Sequence, residues 1–104
     1  MKKFDDVDYY TDMITDWLIY NEKDLITFEL CDEGNELRAE WTENWKTGET
    51  EMYIGFESRK HGNMSYRELV RPTEIEISNA VAMVLTEGKA NFDYWEKEVS
   101  ENEV

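Results

Sequence analysis

Only one pairing of residue types in this chain could support nucleophilic catalysis: the single cysteine, Cys31, with the single histidine, His61. A thiolate needs a base or a cationic neighbour to hold it ionised. Cys31 instead closes an alternating apolar segment, where a half-buried structural thiol is the ordinary outcome. Zinc needs more sulfur and nitrogen ligands than one cysteine and one histidine supply. The run Asp32-Glu33-Gly34-Asn35-Glu36 lacks the alternate-position ligands and the twelfth-position acid of a calcium loop. It reads as a hairpin turn, with Gly34 and Asn35 suited to positive φ. With 25 acidic residues, carboxylate pairs occur throughout, so no single pair marks an acid–base site. The expectation is a protein that is not an enzyme and holds neither metal nor cofactor.

What remains is charge arranged in rows. Asp5, Asp8, Asp12 and Asp16 recur at three- and four-residue steps, which places them within about 80° of one another on a helix. The first helical turn favours acids, but Asp12 and Asp16 lie beyond it. Aspartate is a poor interior helix former, and like charges at i,i+4 repel. Such a stripe is locally unfavourable, and that points to a use. Glu29, Asp32, Glu33, Glu36, Glu40, Glu51 and Glu57 extend the acidic surface along the strands and a turn. Helical steps of four residues put carboxylates about 6 Å apart, loosely comparable to the charge row of a phosphate strand.

The elements that must hold these acids follow from hydrophobic periodicity. Val7, Tyr10, Ile14, Trp17 and Leu18 share one side of a helix over residues 5–20. Residues 24–58 alternate: Ile26, Phe28 and Leu30, then Leu37, Ala39 and Trp41, then Met52, Ile54 and Phe56 make one apolar face. The opposite face is acidic and wet, and carries Tyr53. A polar link at 43–49, with Gly48 as its turn residue, leaves Trp45 outside the core pattern. It is a candidate anchor for a partner or a satellite of the core. Residues 59–71 reverse the charge, with Arg59, Lys60, Arg67 and Arg71 against Glu68 alone. Residues 64–70 read equally as a fourth short strand or a helix. Thr73-Glu74-Ile75-Glu76, directly after Pro72, has the form of a capping box and opens a helix. Its apolar stripe is Ile77, Val81, Val84 and Leu85, and Gly88 is expected to end it. Asn91 would then cap a last helix with Phe92, Trp95 and Val99 on one side.

The expected fold is one α+β domain spanning 1–104. It comprises an N-terminal helix, a three-stranded antiparallel meander with room for a fourth strand, and two C-terminal helices packed on one sheet face. At 104 residues the chain can bury one modest core. The net charge of −14 argues against direct binding of nucleic acid or of an anionic membrane. A basic protein surface is its natural counterpart. One cysteine excludes an internal disulfide. No apolar run follows the first basic residues and the longest, at 80–85, is too short to span a bilayer, so the expected location is the cytoplasm.

In its small size, acidity and helix–meander–helix order, the chain resembles phage-encoded anti-CRISPR inhibitors and nuclease immunity proteins. The resemblance implies an inhibitor that occupies the basic nucleic-acid-binding groove of a nucleic-acid enzyme. Its contacts would be Asp5, Asp8, Asp12, Asp16, Glu29, Asp32, Glu33, Glu36, Glu40 and Glu51, with Trp45 or Tyr53 as the desolvated anchor. An alternative is an adaptor or assembly module whose acidic face only solvates it. A third is a small-molecule site between sheet and helices.

Overall fold

The computed structural model describes residues 6–20, 24–30 and 34–102, with side chains to residue 98. Two helices pack on one face of a four-stranded antiparallel sheet, an α+β arrangement. The order is α1 (Val7–Tyr20), β1 (Leu25–Leu30), β2 (Asn35–Glu43), β3 (Thr50–Ser58), β4 (Gly62–Val70) and α2 (Glu74–Asn102). The strands follow one another across the sheet in chain order, as short hairpin links dictate.

The alternating pattern fixes which face is covered. Leu30, Leu37, Ala39, Met52, Ile54 and Phe56 are buried, and join Tyr10, Ile14 and Trp17 of α1 in one core. Tyr10 and Tyr9 meet Phe28 edge-to-face at 5.1 and 6.2 Å, which seats α1 against β1. Gly34, Gly48 and Gly62 supply the positive φ that the three hairpin links need. Asn35 does not share that role: it opens β2 as a buried strand residue.

One open alternative is resolved, and one expectation needs correction. The meander has a full fourth strand, and residues 64–70 belong to it. Its alternation is masked by a bulge opposite Phe56 and Glu57, which leaves Met64 unpaired and buried. Its helix-side positions Ser65 and Arg67 are polar and bind Glu87 of α2, Arg67 at 2.6 Å.

The correction concerns the C-terminal helices, which are one. Thr73 and Glu76 do form the capping box: each side chain bonds the other's backbone N–H, at 3.1 and 3.2 Å. The helix then runs through Gly88 without a break. Gly88 is buried against Phe56, and a Cβ there would stand 2.5 Å from Phe56 Cδ2. It is a clearance residue where helix and sheet approach closely. Asn91 caps nothing; its amide donates to the Met64 carbonyl at 2.6 Å. Phe92 is buried, whereas Trp95 lies 48% exposed and outside the core.

Candidate protein-binding face

The side of the sheet opposite the helices is uncovered among the described residues. Register places its side chains in cross-strand rows. Glu29, Glu36 and Glu57 stand directly opposite one another on β1, β2 and β3, with Asn63 of β4 at the end. The next row is Thr27, Arg38, Gly55 and Tyr66. Then come Leu25, Glu40, Tyr53 and Glu68, and finally Thr42, Glu51 and Val70. Six glutamates thus face solvent with Arg38 among them, and Arg59, opposite Gly34, adds a second cation where the Glu36–Glu57 row ends.

Neighbouring strands lie about 4.8 Å apart, so the three-glutamate row is a line of negative charge at that step. Like charges directly opposite are unfavourable, on a scale where good pairs contribute about 0.2–1 kcal/mol. The backbone bond from Trp41 to the Asp24 carbonyl fixes the phase of the β1–β2 ladder. Glu29 and Glu36 therefore form a non-hydrogen-bonded pair, the geometry that brings side chains closest. Glu57 is compensated by the Tyr53 hydroxyl and the Asn63 amide, at 2.9 and 3.0 Å, whereas among the described residues no hydrogen bond of that kind offsets the approach of Glu29 to Glu36.

Arg38 is the cation at the centre of the face. Its guanidinium reaches Glu40 Oε1 at 2.6 and 3.0 Å and Glu36 Oε1 at 3.9 Å. The Glu40 hydrogen bond holds it above its ordinary pKa, outweighing the loss of hydration. Arg38 thus spaces two glutamates and leaves the face strongly negative.

Tyr53 is held in place from several sides. Gly55 follows it on the same face, and the Tyr53 ring fills the space a side chain there would take, with Cζ 2.6 Å from an ideal Cβ. Its ring stacks on Tyr66 at 5.7 Å. Its hydroxyl donates to Glu57 Oε1 at 2.9 Å and accepts from Asn63 Nδ2 at 2.7 Å. Burial first, and the Glu57 hydrogen bond second, raise the hydroxyl above its ordinary pKa. It is a fixed, neutral aromatic amid carboxylates. Beside it Asp24, Glu40, Glu51 and Glu68 ring an open cavity of about 310 Å³, large enough for a cationic side chain.

The other expected contacts are placed as follows. Glu29, Glu36, Glu40, Glu51 and Tyr53 share the open sheet face. Glu51 accepts from Asn44 at 2.8 Å, which ties the face to the β2–β3 link. Trp45 stands at the tip of that link, 86% exposed, with the Lys46 ammonium 5.2 Å from its ring centroid. Asn44 Oδ1 accepts from the backbone of Lys46 and Thr47, so the tip is a built turn. Asp8, Asp12 and Asp16 are exposed on α1, on the side away from Tyr10 and Ile14. Asp8 and Asp12 lie on the helix side, away from the sheet face, while Asp16 reaches the β1 edge and lines a groove there with Leu25 and Thr27. Asp5, Asp32 and Glu33 lie outside the described residues, as does Cys31.

No family model, curated protein or solved structure matches the chain. Among the described residues no cluster of three or more histidine, cysteine or acidic side chains could hold a metal ion. No described helix is long and apolar enough to cross a membrane. His61 packs edge-to-face on Phe92 at 5.5 Å, with Nε2 3.6 Å from Glu96. Sequence reasoning found the acidic face, with Arg38 on it, but not Glu68 or Tyr66, whose places depend on the fourth strand and on register.

Proposed function

We propose that this protein is a non-catalytic inhibitor that lays its open sheet face into the basic nucleic-acid-binding groove of a nucleic-acid enzyme. The observation that carries the reading is the in-register row Glu29, Glu36 and Glu57. It is a line of negative charge whose like-charged neighbours repel, an arrangement offset at Glu57 by hydrogen bonds from Tyr53 and Asn63 but not between Glu29 and Glu36. Arginine and lysine side chains that normally meet phosphates would meet these carboxylates. The cavity beside Tyr53 would take one such side chain, between Glu40, Glu51 and Glu68. The −14 net charge would speed encounter with a basic groove, and the local contacts would set register. Trp45, on its built turn, would supply an apolar anchor beside the charged area.

The adaptor reading, in which the acids serve solubility only, leaves the approach of Glu29 to Glu36 without a reason. The experiment that separates the two begins with affinity capture from the native host and identification of the bound protein. The captured enzyme's activity and duplex binding are then measured with wild type and with Glu29→Gln/Glu36→Gln/Glu57→Gln. Inhibition that competes with nucleic acid and is lost in the triple variant is the expected result. A captured protein with no nucleic-acid groove, or equal inhibition by the variant, would refute the inhibitor reading.

A further inference from the structure

The two edges of the sheet are treated differently. β4 is protected: it carries a bulge, its Met64 carbonyl is bonded by Asn91, and Arg67 is tied to Glu87 of α2. β1, at the other edge, has an unbroken register with β2 and contains no lysine, proline or bulge. Those are the devices that usually blunt an edge. Because the Asp24 carbonyl bonds to Trp41, the backbone groups of Ile26, Phe28 and Leu30 turn toward β2. Those of Leu25, Thr27 and Glu29 point outward, along an edge that no strand pairs among the described residues. Beside that edge runs a groove of about 470 Å³, floored by Ile26 and walled by Met13, Trp17 and Tyr20 of α1.

We propose that this edge and groove bind an extended basic segment of a partner protein by strand addition. An added strand would bond to the outward N–H and C=O groups of Leu25, Thr27 and Glu29. Its alternate side chains would enter the apolar groove. The others would lie on the open face beside Glu29, where the charge is negative. Asp16 lines the groove and Asp24 precedes the strand, and among the described residues no cation lines it. The preferred segment therefore alternates apolar and basic residues. A second copy of this chain is a poor occupant: antiparallel pairing about Thr27 would gather Asp16, Asp24 and Glu29 of two chains, each of net charge −14. This inference stands apart from the inhibitory role, since it concerns the edge and its backbone.

The probe is an end-blocked seven-residue peptide alternating lysine and valine, titrated into the full ¹⁵N-labelled chain. The expected result is saturable shifts at Leu25, Thr27 and Glu29, with slowed amide exchange at those residues. The same peptide N-methylated on its lysine amides keeps its charge but cannot form the ladder, and should bind at least tenfold more weakly. A peptide alternating glutamate and valine should not bind. The proposal is overturned by absence of saturable binding or by equal binding of the N-methylated peptide. It is also overturned by shifts centred on Tyr53 and Glu68, or by protection of the β1 amides through self-association without peptide.

Discussion

Gly88→Ala tests the packing that sets the sheet against α2. At an ordinary helix-interior site this change is favourable by about 1 kcal/mol, because alanine is the better helix former. Here the new Cβ would stand 2.5 Å from Phe56 Cδ2 and 2.6 Å from Phe56 Cβ. Phe56 is fully buried, so its ring has no open space to enter. Overpacking of this kind costs about 1–3 kcal/mol, and these contacts fall well inside normal separations. The clash should outweigh the propensity gain and leave the variant about 1–2 kcal/mol less stable. Urea unfolding followed by circular dichroism measures this directly. Each 1 kcal/mol corresponds to about 4–8 °C in Tm for a chain of this size. A cycle with Phe56→Leu should show coupling, since the smaller side chain relieves part of the overlap. A Gly88→Ala variant more stable than wild type would refute the close-approach account and restore glycine as a mere weak point in the helix.

Thr73→Ala should destabilise by about 1 kcal/mol, because it removes the hydroxyl that accepts from the Glu76 backbone N–H and donates to the Glu76 carboxylate; an unchanged denaturation midpoint would contradict this. Tyr53→Phe should cost about 1 kcal/mol at neutral pH through the lost bonds to Glu57 and Asn63. The Tyr53 pKa is raised on folding, so its contribution is complete below the unfolded value near 10 and is lost as pH climbs beyond it. Wild type should therefore lose more stability than the variant between about pH 9 and pH 11, and parallel curves would argue against a tightly held proton. Neutralising Asp8, Asp12 and Asp16 to asparagine should leave the fold intact, because the opposite side of α1 supplies the core contacts; loss of cooperative unfolding would show that account to be wrong.

Much of the architecture is legible in local pattern. The β1–β3 alternation, the helix stripe through Tyr10, Ile14 and Trp17, and the Thr73 capping box all depend on near neighbours, and all stand in the structure. What escaped depends on distant ones. Gly88 carries the local signal of a helix end, but its reason for being glycine is Phe56, 32 positions earlier in the chain. β4 hides its strand period because a bulge shifts its phase and Arg67 occupies a helix-side position, compensated by Glu87. The acidic character of the open face is visible in composition and alternation. The alignment of Glu29, Glu36 and Glu57 is not, because it exists only once the hairpin links fix register. Sequence also joined the α1 aspartates to the sheet acids, whereas the fold sets Asp8 and Asp12 apart from the sheet face and leaves Asp16 at the β1 edge.

That separation supplies the most direct test of the central claim. The association rate with the captured enzyme should be measured against ionic strength for three proteins. These are wild type, Glu29→Gln/Glu36→Gln/Glu57→Gln, and Asp8→Asn/Asp12→Asn/Asp16→Asn. The two variants remove the same charge from a chain of net charge −14, so long-range steering changes equally. If the sheet face enters the basic groove, the glutamine variant should associate more slowly and dissociate faster. That difference should persist above about 0.15 M salt, where exposed charges are screened over about 8 Å. The asparagine variant should lose rate only at low salt. Equal curves for both variants at every salt concentration would contradict the assignment of the sheet face as the inhibitory surface.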